Sequence, residues 1–197
     1  MTRKSYYEKL AADYSRPSVV PTELGNRLIK LAEGLIEKQE SALPPYDVTN
    51  EANRLEIERE NKEWWPSHCE ALRRGRSDLL SGEYRDNPPL VYFCQDGPFY
   101  GRDAGTAIES SWWALLSQPE VTMCWPIVMF HGEVVYFEWK CVDDVTNETT
   151  AKGNVTFLRR GHKGGVYLKT EQLTFYRDVH AEFFKKAGLC AKTLEKK

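Results

Sequence analysis

His68 follows Trp64 and Trp65 by four and three residues, so one helical face can set an aromatic ring beside an imidazole. Histidine is the side chain that gains and loses a proton near neutral pH. Tyr92 lies inside the apolar run Leu90-Val91-Tyr92-Phe93-Cys94. A tyrosine there can donate a hydrogen bond or, if activated, accept a proton. Lys169 and Glu171 are two apart in a strand-like run and so share a face. Buried, that pair could work as acid and base; exposed, it would be an ordinary surface ladder. Thr174-Phe175-Tyr176-Arg177-Asp178 ends in a pair that can form a salt bridge or cap a following helix. Other chemistries find little support. His131 and His162 fall in turns, His180 falls in the tail, and none has a partner at metal-ligand spacing. Gly161 to Gly165 reads as a hairpin rather than a phosphate loop, and no G-x-S-x-G motif occurs. Acid–base work with no cofactor and no metal is the expectation.

These residues need elements to position them. Ser5 to Tyr14 reads as a short helix that stops near Pro17 and Pro21. Thr22 then caps a second helix, with Leu24, Leu28, Leu31, Leu35 and Ile36 at helical spacing. Its stripe must be buried, either on the outside of the chain's own core or against a neighbouring subunit. After the loop Leu43-Pro44-Pro45-Tyr46, a charged helix runs from about Asn50 to Arg73, with a kink or restart expected at Pro66. Asp103 to Leu116 reads as a further helix. Strand-like runs follow at Val121 to Phe130, Glu133 to Val142, Thr149 to Arg160 and Val166 to Asp178. They are joined by turns at His131-Gly132 and Gly161 to Gly165. Helices first and an antiparallel meander afterwards define an α+β chain. In the second of these strands, Val135, Phe137, Trp139 and Cys141 form an apolar face opposite Val134, Tyr136, Glu138 and Lys140. Glu138 and Lys140 are expected in cross-strand ion pairs outside.

Composition narrows the class. The chain has 197 residues, 41% of them hydrophobic, which suffices for a core. A net charge of −2 gives no nucleic-acid footprint. No apolar stretch approaches membrane-spanning length, and the first residues lack an apolar signal core. The five cysteines form no C-x-x-C pair and sit mostly in apolar runs, which points to a reducing, cytoplasmic compartment. Six tryptophans, ten tyrosines and eight phenylalanines suit a pocket for an aromatic ligand.

One segment carries a family resemblance. His68 to Gly101 reads HCEALRRGRSDLLSGEYRDNPPLVYFCQDGPFYG. A helix ends at Arg73-Arg74-Gly75, a short helix DLLSGEY follows, and the strand LVYFC turns into Phe99-Tyr100-Gly101-Arg102-Asp103. This order resembles the nuclear transport factor 2-like superfamily and its SnoaL-like branch. The group includes ketosteroid isomerase, scytalone dehydratase and limonene epoxide hydrolase. The resemblance implies a cone-shaped α+β barrel, a curved antiparallel sheet wrapped around helices. It divides the chain into an N-terminal helical extension (1–48), a SnoaL-like domain (49–185) and a charged tail (186–197).

The resemblance also implies roles. His68 stands where ketosteroid isomerase keeps an oxyanion-stabilising tyrosine, and Tyr92 where it keeps its carboxylate base. Asp178 matches the aspartate that ends the last strand of limonene epoxide hydrolase. The departures at His68 and Tyr92 speak against steroid isomerisation, and Trp139 and Cys141, standing where limonene epoxide hydrolase keeps an arginine and an aspartate, speak against epoxide hydrolysis. His68, Tyr92 and Asp178 become the candidate proton donors and acceptors. Trp65, Tyr100, Trp112, Trp125, Phe137, Trp139 and Asn154 become candidate substrate contacts, Asn154 or Thr156 falling near the second oxyanion-hole position.

Within the superfamily the aromatic content and the long N-terminal arm look most similar to the lignin-diarylpropane formaldehyde lyases. That implies a cofactorless lyase acting on a small aromatic substrate, releasing formaldehyde to leave a stilbene. A dehydratase, isomerase or cyclase is the neighbouring alternative. A non-catalytic ligand-binding or assembly module is the alternative from another class. No nucleic-acid or membrane partner is expected, and a homodimer or homotrimer is.

Overall fold

The computed structural model describes residues 22–94, 97–107 and 121–175. The expected helix at Ser5 to Tyr14, the end of the helix expected up to Leu116, and the tail from Tyr176 lie outside the described residues, as do Trp112 and Asp178. Helix α1 spans Thr22–Ile36, α2 Glu51–Arg73 and α3 Ser77–Glu83. Strands β1 (Val91–Cys94) and β2 (Gly97–Tyr100) follow, and residues 102–107 are helical. Then come β3 (Val121–His131), β4 (Val134–Asp143), β5 (Thr149–Arg159), the helical turn α4 (Gly161–Gly164) and β6 (Val166–Phe175).

The α2 helix is the axis of the fold. Asn50 caps it by accepting a 3.1 Å bond from the Asn53 amide. Its first half is a charged face with Arg59–Glu56 and Lys62–Glu58 pairs three and four residues apart. Its second half is buried almost all round, from Trp64 to Arg73 with Pro66 as the half-buried exception. A helix with that pattern must be surrounded by other elements. The restart expected at Pro66 does not occur. The helix runs through it as one element, and the Ser67 hydroxyl donates to the Trp64 carbonyl at 2.6 Å. Packing on several sides holds a turn that proline alone would weaken. The helix stops at Gly75, whose φ of 64° lets the Arg76 amide fold back onto the Ala71 carbonyl at 3.0 Å.

One side of that helix meets α1 and α3. Ile29 and Ala32 of α1 pack with Ala71, Leu72, Leu79 and Leu80. Leu35 enters the main core beside Trp64 and Trp65. The α1 stripe therefore packs on its own subunit, the first of the two expected placements, rather than covering a neighbour. Only Leu24 stays well exposed, at 39%. Gly25 permits the close approach, since a Cβ there would collide with the Arg74 guanidinium and the Glu70 carboxylate.

The other side meets the sheet. Its six strands run β2-β1-β6-β5-β4-β3, with β1 parallel to β6 and every other neighbouring pair antiparallel. Register shifts in β3, at the end of β4 and at the end of β5 bend it over the helix. The expected alternation in β4 holds: Val135, Phe137, Trp139 and Cys141 are buried, and the residues between them are half-buried. Glu138, expected in a cross-strand ion pair, instead accepts from the Tyr136 hydroxyl of its own strand at 3.1 Å. The turn expected at Gly161 to Gly165 contains a helical turn, entered and left by glycines with φ of 63° and 60°. Among the described residues, no helix is long and apolar enough to cross a membrane.

Leu35→Ala should lower unfolding stability by about 2–5 kcal/mol, because Leu35 is 2% exposed and its site is walled by rigid rings. Urea denaturation checks this. A loss below about 0.5 kcal/mol would mean that α1 is not part of the cooperative core.

Candidate active site

The sheet register builds the first polar group. β1 lies against β6 with Tyr92 beside Lys169, and β5 lies on the other side of β6 with Phe157 beside Lys169 and Val155 beside Glu171. Lys169 and Glu171 therefore point the same way as Phe157 and Val155, into the core. Tyr92 is 0%, Lys169 3% and Glu171 6% exposed. The Tyr92 hydroxyl donates to Glu171 Oε2, and Lys169 Nζ stands 3.1 Å from the same oxygen. The ammonium also lies 4.7 Å from the Tyr92 ring centre and 5.4 Å from that of Phe157. A carboxylate cannot be buried alone; here a cation and a phenol O–H share its cost. The result is a base, a cation and a hydroxyl donor converging on one atom. The open alternative of an exposed Lys–Glu ladder is set aside by this burial.

The helix side supplies a second group. His68 is 1% exposed and its Nδ1 lies 2.7 Å from Glu83 Oε2. Its ring is packed by Trp64 at 4.7 Å, by Trp65 stacked at 5.7 Å and by Phe157 edge-on at 5.3 Å. Phe157 thus touches both groups, with the imidazole on its helix side and Lys169 beside it on the sheet.

An aromatic wall continues from there. Trp65 contacts Phe137 at 4.7 Å and Trp125 edge-on at 6.2 Å, and Trp139 joins the same buried cluster. Of the expected contacts, Trp65, Trp125, Phe137 and Trp139 fall in one core with Tyr92, next to His68. Two expected contacts fall elsewhere. Tyr100 is 65% exposed, because Tyr92 pairs with Phe99 and sends Tyr100 to the other face of the hairpin. Asn154 lies opposite Glu138 and Gln172, one residue out of phase with the buried Val155, so it faces outward. A one-residue offset reverses the face. Asp178 and Trp112 lie outside the described residues.

Sequence reasoning passed over Glu83, Asn61 and Arg159. Glu83 ends α3 without any motif around it. Asn61 looks like one more polar residue on a charged helix, yet its amide donates to the Gly132 and Arg159 carbonyls at 2.9 and 3.0 Å. Arg159 Nη1 donates back to Asn61 Oδ1 at 2.8 Å, and its guanidinium lies 4.8 Å from the Trp64 ring centre. Burial pulls the Arg159 guanidinium down to about 10. Among the described residues no group of His, Cys, Asp and Glu could hold a metal ion.

The element order and the curved sheet around a central helix make an α+β cone, the fold class implied by the resemblance to the nuclear transport factor 2-like superfamily. Solved structures similar to this chain carry that description. An NTF2-like protein of unknown function from Burkholderia xenovorans is 17% identical, with a TM-score of 0.46 over 62% of this chain and 88% of its own. One from Pseudomonas putida is 20% identical, with a TM-score of 0.43 over 62% and 87%. One from Mesorhizobium loti is 12% identical, with a TM-score of 0.44 over 68% and 98%. No family model matches the chain, and no curated protein matches it.

Breaking the buried pair on one side should be costly. Lys169→Met or Glu171→Gln alone should cost about 3–5 kcal/mol, and the double variant less than the sum of the two. A denaturant double-mutant cycle checks this, and strict additivity would show that the two charges do not interact. The thiols give a second check. Burial drives the Cys69 thiol well up, Cys124 to about 11 and Cys141 to about 12. At about pH 8 these three should resist alkylation in the native protein and react once it is unfolded, read by peptide mass mapping.

Proposed function

We propose that this chain is a cofactor-independent acid–base enzyme acting on a bulky aromatic substrate. The observation that carries the proposal is the Tyr92–Glu171–Lys169 group, buried among aromatic rings and facing Phe157 together with His68. Position 92 lacks the carboxylate that the resemblance to ketosteroid isomerase would put there. Taken alone, that lack favours a non-catalytic binding module. Glu171 makes up for it, because the neighbouring strand brings a carboxylate to the Tyr92 hydroxyl.

The finer reading is a lyase that converts a diarylpropane diol to a stilbene, water and formaldehyde. A proton donor protonates the benzylic hydroxyl, which leaves as water. A base takes the proton of the terminal alcohol. The bond between the terminal and central carbons then breaks, its electron pair forms the new double bond, and the terminal carbon departs as formaldehyde. Glu171 is suited to the base role, with the Lys169 ammonium 3.1 Å from its Oε2 as counter-charge. Tyr92 and His68 are suited to deliver and return protons. Trp65, Trp125, Phe137 and Trp139 would line the ring-binding surface. A dehydratase would use the same groups, with the base taking the proton of the central carbon in place of the terminal alcohol's, so that the C–H electron pair forms the double bond and only water leaves.

A homodimer or homotrimer is part of the proposal, with the outer sheet face rather than the α1 stripe as its surface. Ile127 and Met129 are exposed there at 41% and 59%. Sedimentation of the wild type and Met129→Glu tests this; a wild-type monomer at micromolar concentration removes it.

Incubation with diarylpropane diols, followed by chromatography for stilbene and a formaldehyde assay, tests the activity. Tyr92→Phe, Glu171→Gln and His68→Ala should each lower turnover at least about a hundredfold in variants that remain folded. Release of water without formaldehyde would favour the dehydratase. Near-full turnover in all three would leave the acid–base assignment without support.

A further inference from the structure

Glu83 has a feature that core packing does not explain. It is 3% exposed, ends a short helix, and spends Oε2 on His68 Nδ1 at 2.7 Å, while Oε1 has no hydrogen-bond partner among the described residues. A buried histidine needs no carboxylate for its own sake. A backbone carbonyl would satisfy Nδ1–H without the cost of burying a charge. Of the two imidazole nitrogens, Nδ1 has the protein partner, and Nε2 has none among the described residues. Trp64, Trp65 and Phe157 pack the ring from three directions, so its orientation is held as well as its tautomer.

We propose that Glu83 is the positioning residue of His68: it holds the proton on Nδ1, and Nε2 is the atom that exchanges a proton with the substrate. The inference rests on the reading of His68 as a proton carrier. In the acidic state both nitrogens carry protons, and Nε2–H donates. In the neutral state Glu83 keeps the Nδ1 proton, and Nε2 presents its lone pair. No proton passes to Glu83, and each donation from Nε2 is reset by one uptake at the same atom. Arg159, whose guanidinium lies on the Trp64 ring that also packs His68, is a buried cation within electrostatic reach of Glu83. Electrostatic attraction to Glu83 opposes the downward pull of burial on that guanidinium. The charge of Glu83 is also felt at the neighbouring Cys69 thiol, which it helps to raise. The arrangement is a base oriented by a second group, with the orienting group drawn from a different helix.

The test has two arms. Nitrogen-15 NMR of imidazole-labelled protein, at a pH where the ring is neutral, should show His68 with Nδ1 protonated and Nε2 bare. Glu83→Gln should mix the two tautomers and lower kcat at least about tenfold with KM nearly unchanged. Glu83→Asp should recover the tautomer and part of kcat. A His68 protonated on Nε2 in the wild type overturns the inference, whatever the activity shows. So does a Glu83→Gln variant with both tautomer and kcat unchanged. If Glu83→Gln does not fold, the wild-type tautomer and Glu83→Asp still decide. His68→Ala with full turnover would instead remove His68 from the proposed function, and the two failures are thereby told apart.

Discussion

The second half of α2 is buried almost all round, and most of the architecture follows from that. A helix can bury one stripe against a sheet or against other helices. To bury nearly all faces it needs both at once. The sheet curves over one side and α1 with α3 close the other. Polar groups on this half then lie far from water and need protein partners. Glu70 takes Arg73 and Arg74, and His68 takes Glu83. Further up the helix, Asn61 ties it to the β3–β4 turn and to the end of β5. Each pairing is specific because no solvent stands in for a missing partner.

The sheet meets the same constraint with different means. A strand offers only alternate residues to the core, so its buried charges come at spacing two. Lys169 and Glu171 occupy adjacent inward positions of β6, and the parallel neighbour β1 lays Tyr92 beside them. Such groups are a poor way to gain stability, since an apolar replacement of similar size commonly does as well. Two buried polar groups are gathered around one aromatic ring, Phe157, and the proposed acid–base function draws on both.

The relation between Tyr92 and Glu171 alters how the resemblance to ketosteroid isomerase is read. Position 92 alone suggests a lost base. In three dimensions a carboxylate, that of Glu171, enters from the neighbouring strand and meets the Tyr92 hydroxyl. The α1 helix shows a similar change of meaning. Its apolar stripe looked surplus to a cone-shaped domain, to be buried outside it or on a neighbour, but the rear of α2 required a cover, and α1 is that cover.

The sequence by itself determined what is local and periodic. Alternation in β4 revealed its inward face, the leucine spacing revealed α1, and the motif order from His68 to Gly101 pointed to the α+β cone. It also determined that His68 and Tyr92 were worth suspecting, since each combines proton chemistry with an apolar setting. Tertiary structure alone decided which polar residues meet. Glu83 lies fifteen residues after His68 and Glu171 lies seventy-nine after Tyr92, so no local spacing links either pair. It also decided the phase of β5 and the β1–β2 hairpin, where a single-residue offset turned Asn154 and Tyr100 away from the core. Propensity and periodicity act over a few residues, whereas the partner of a buried charge is chosen by whichever strand or helix the packing brings alongside.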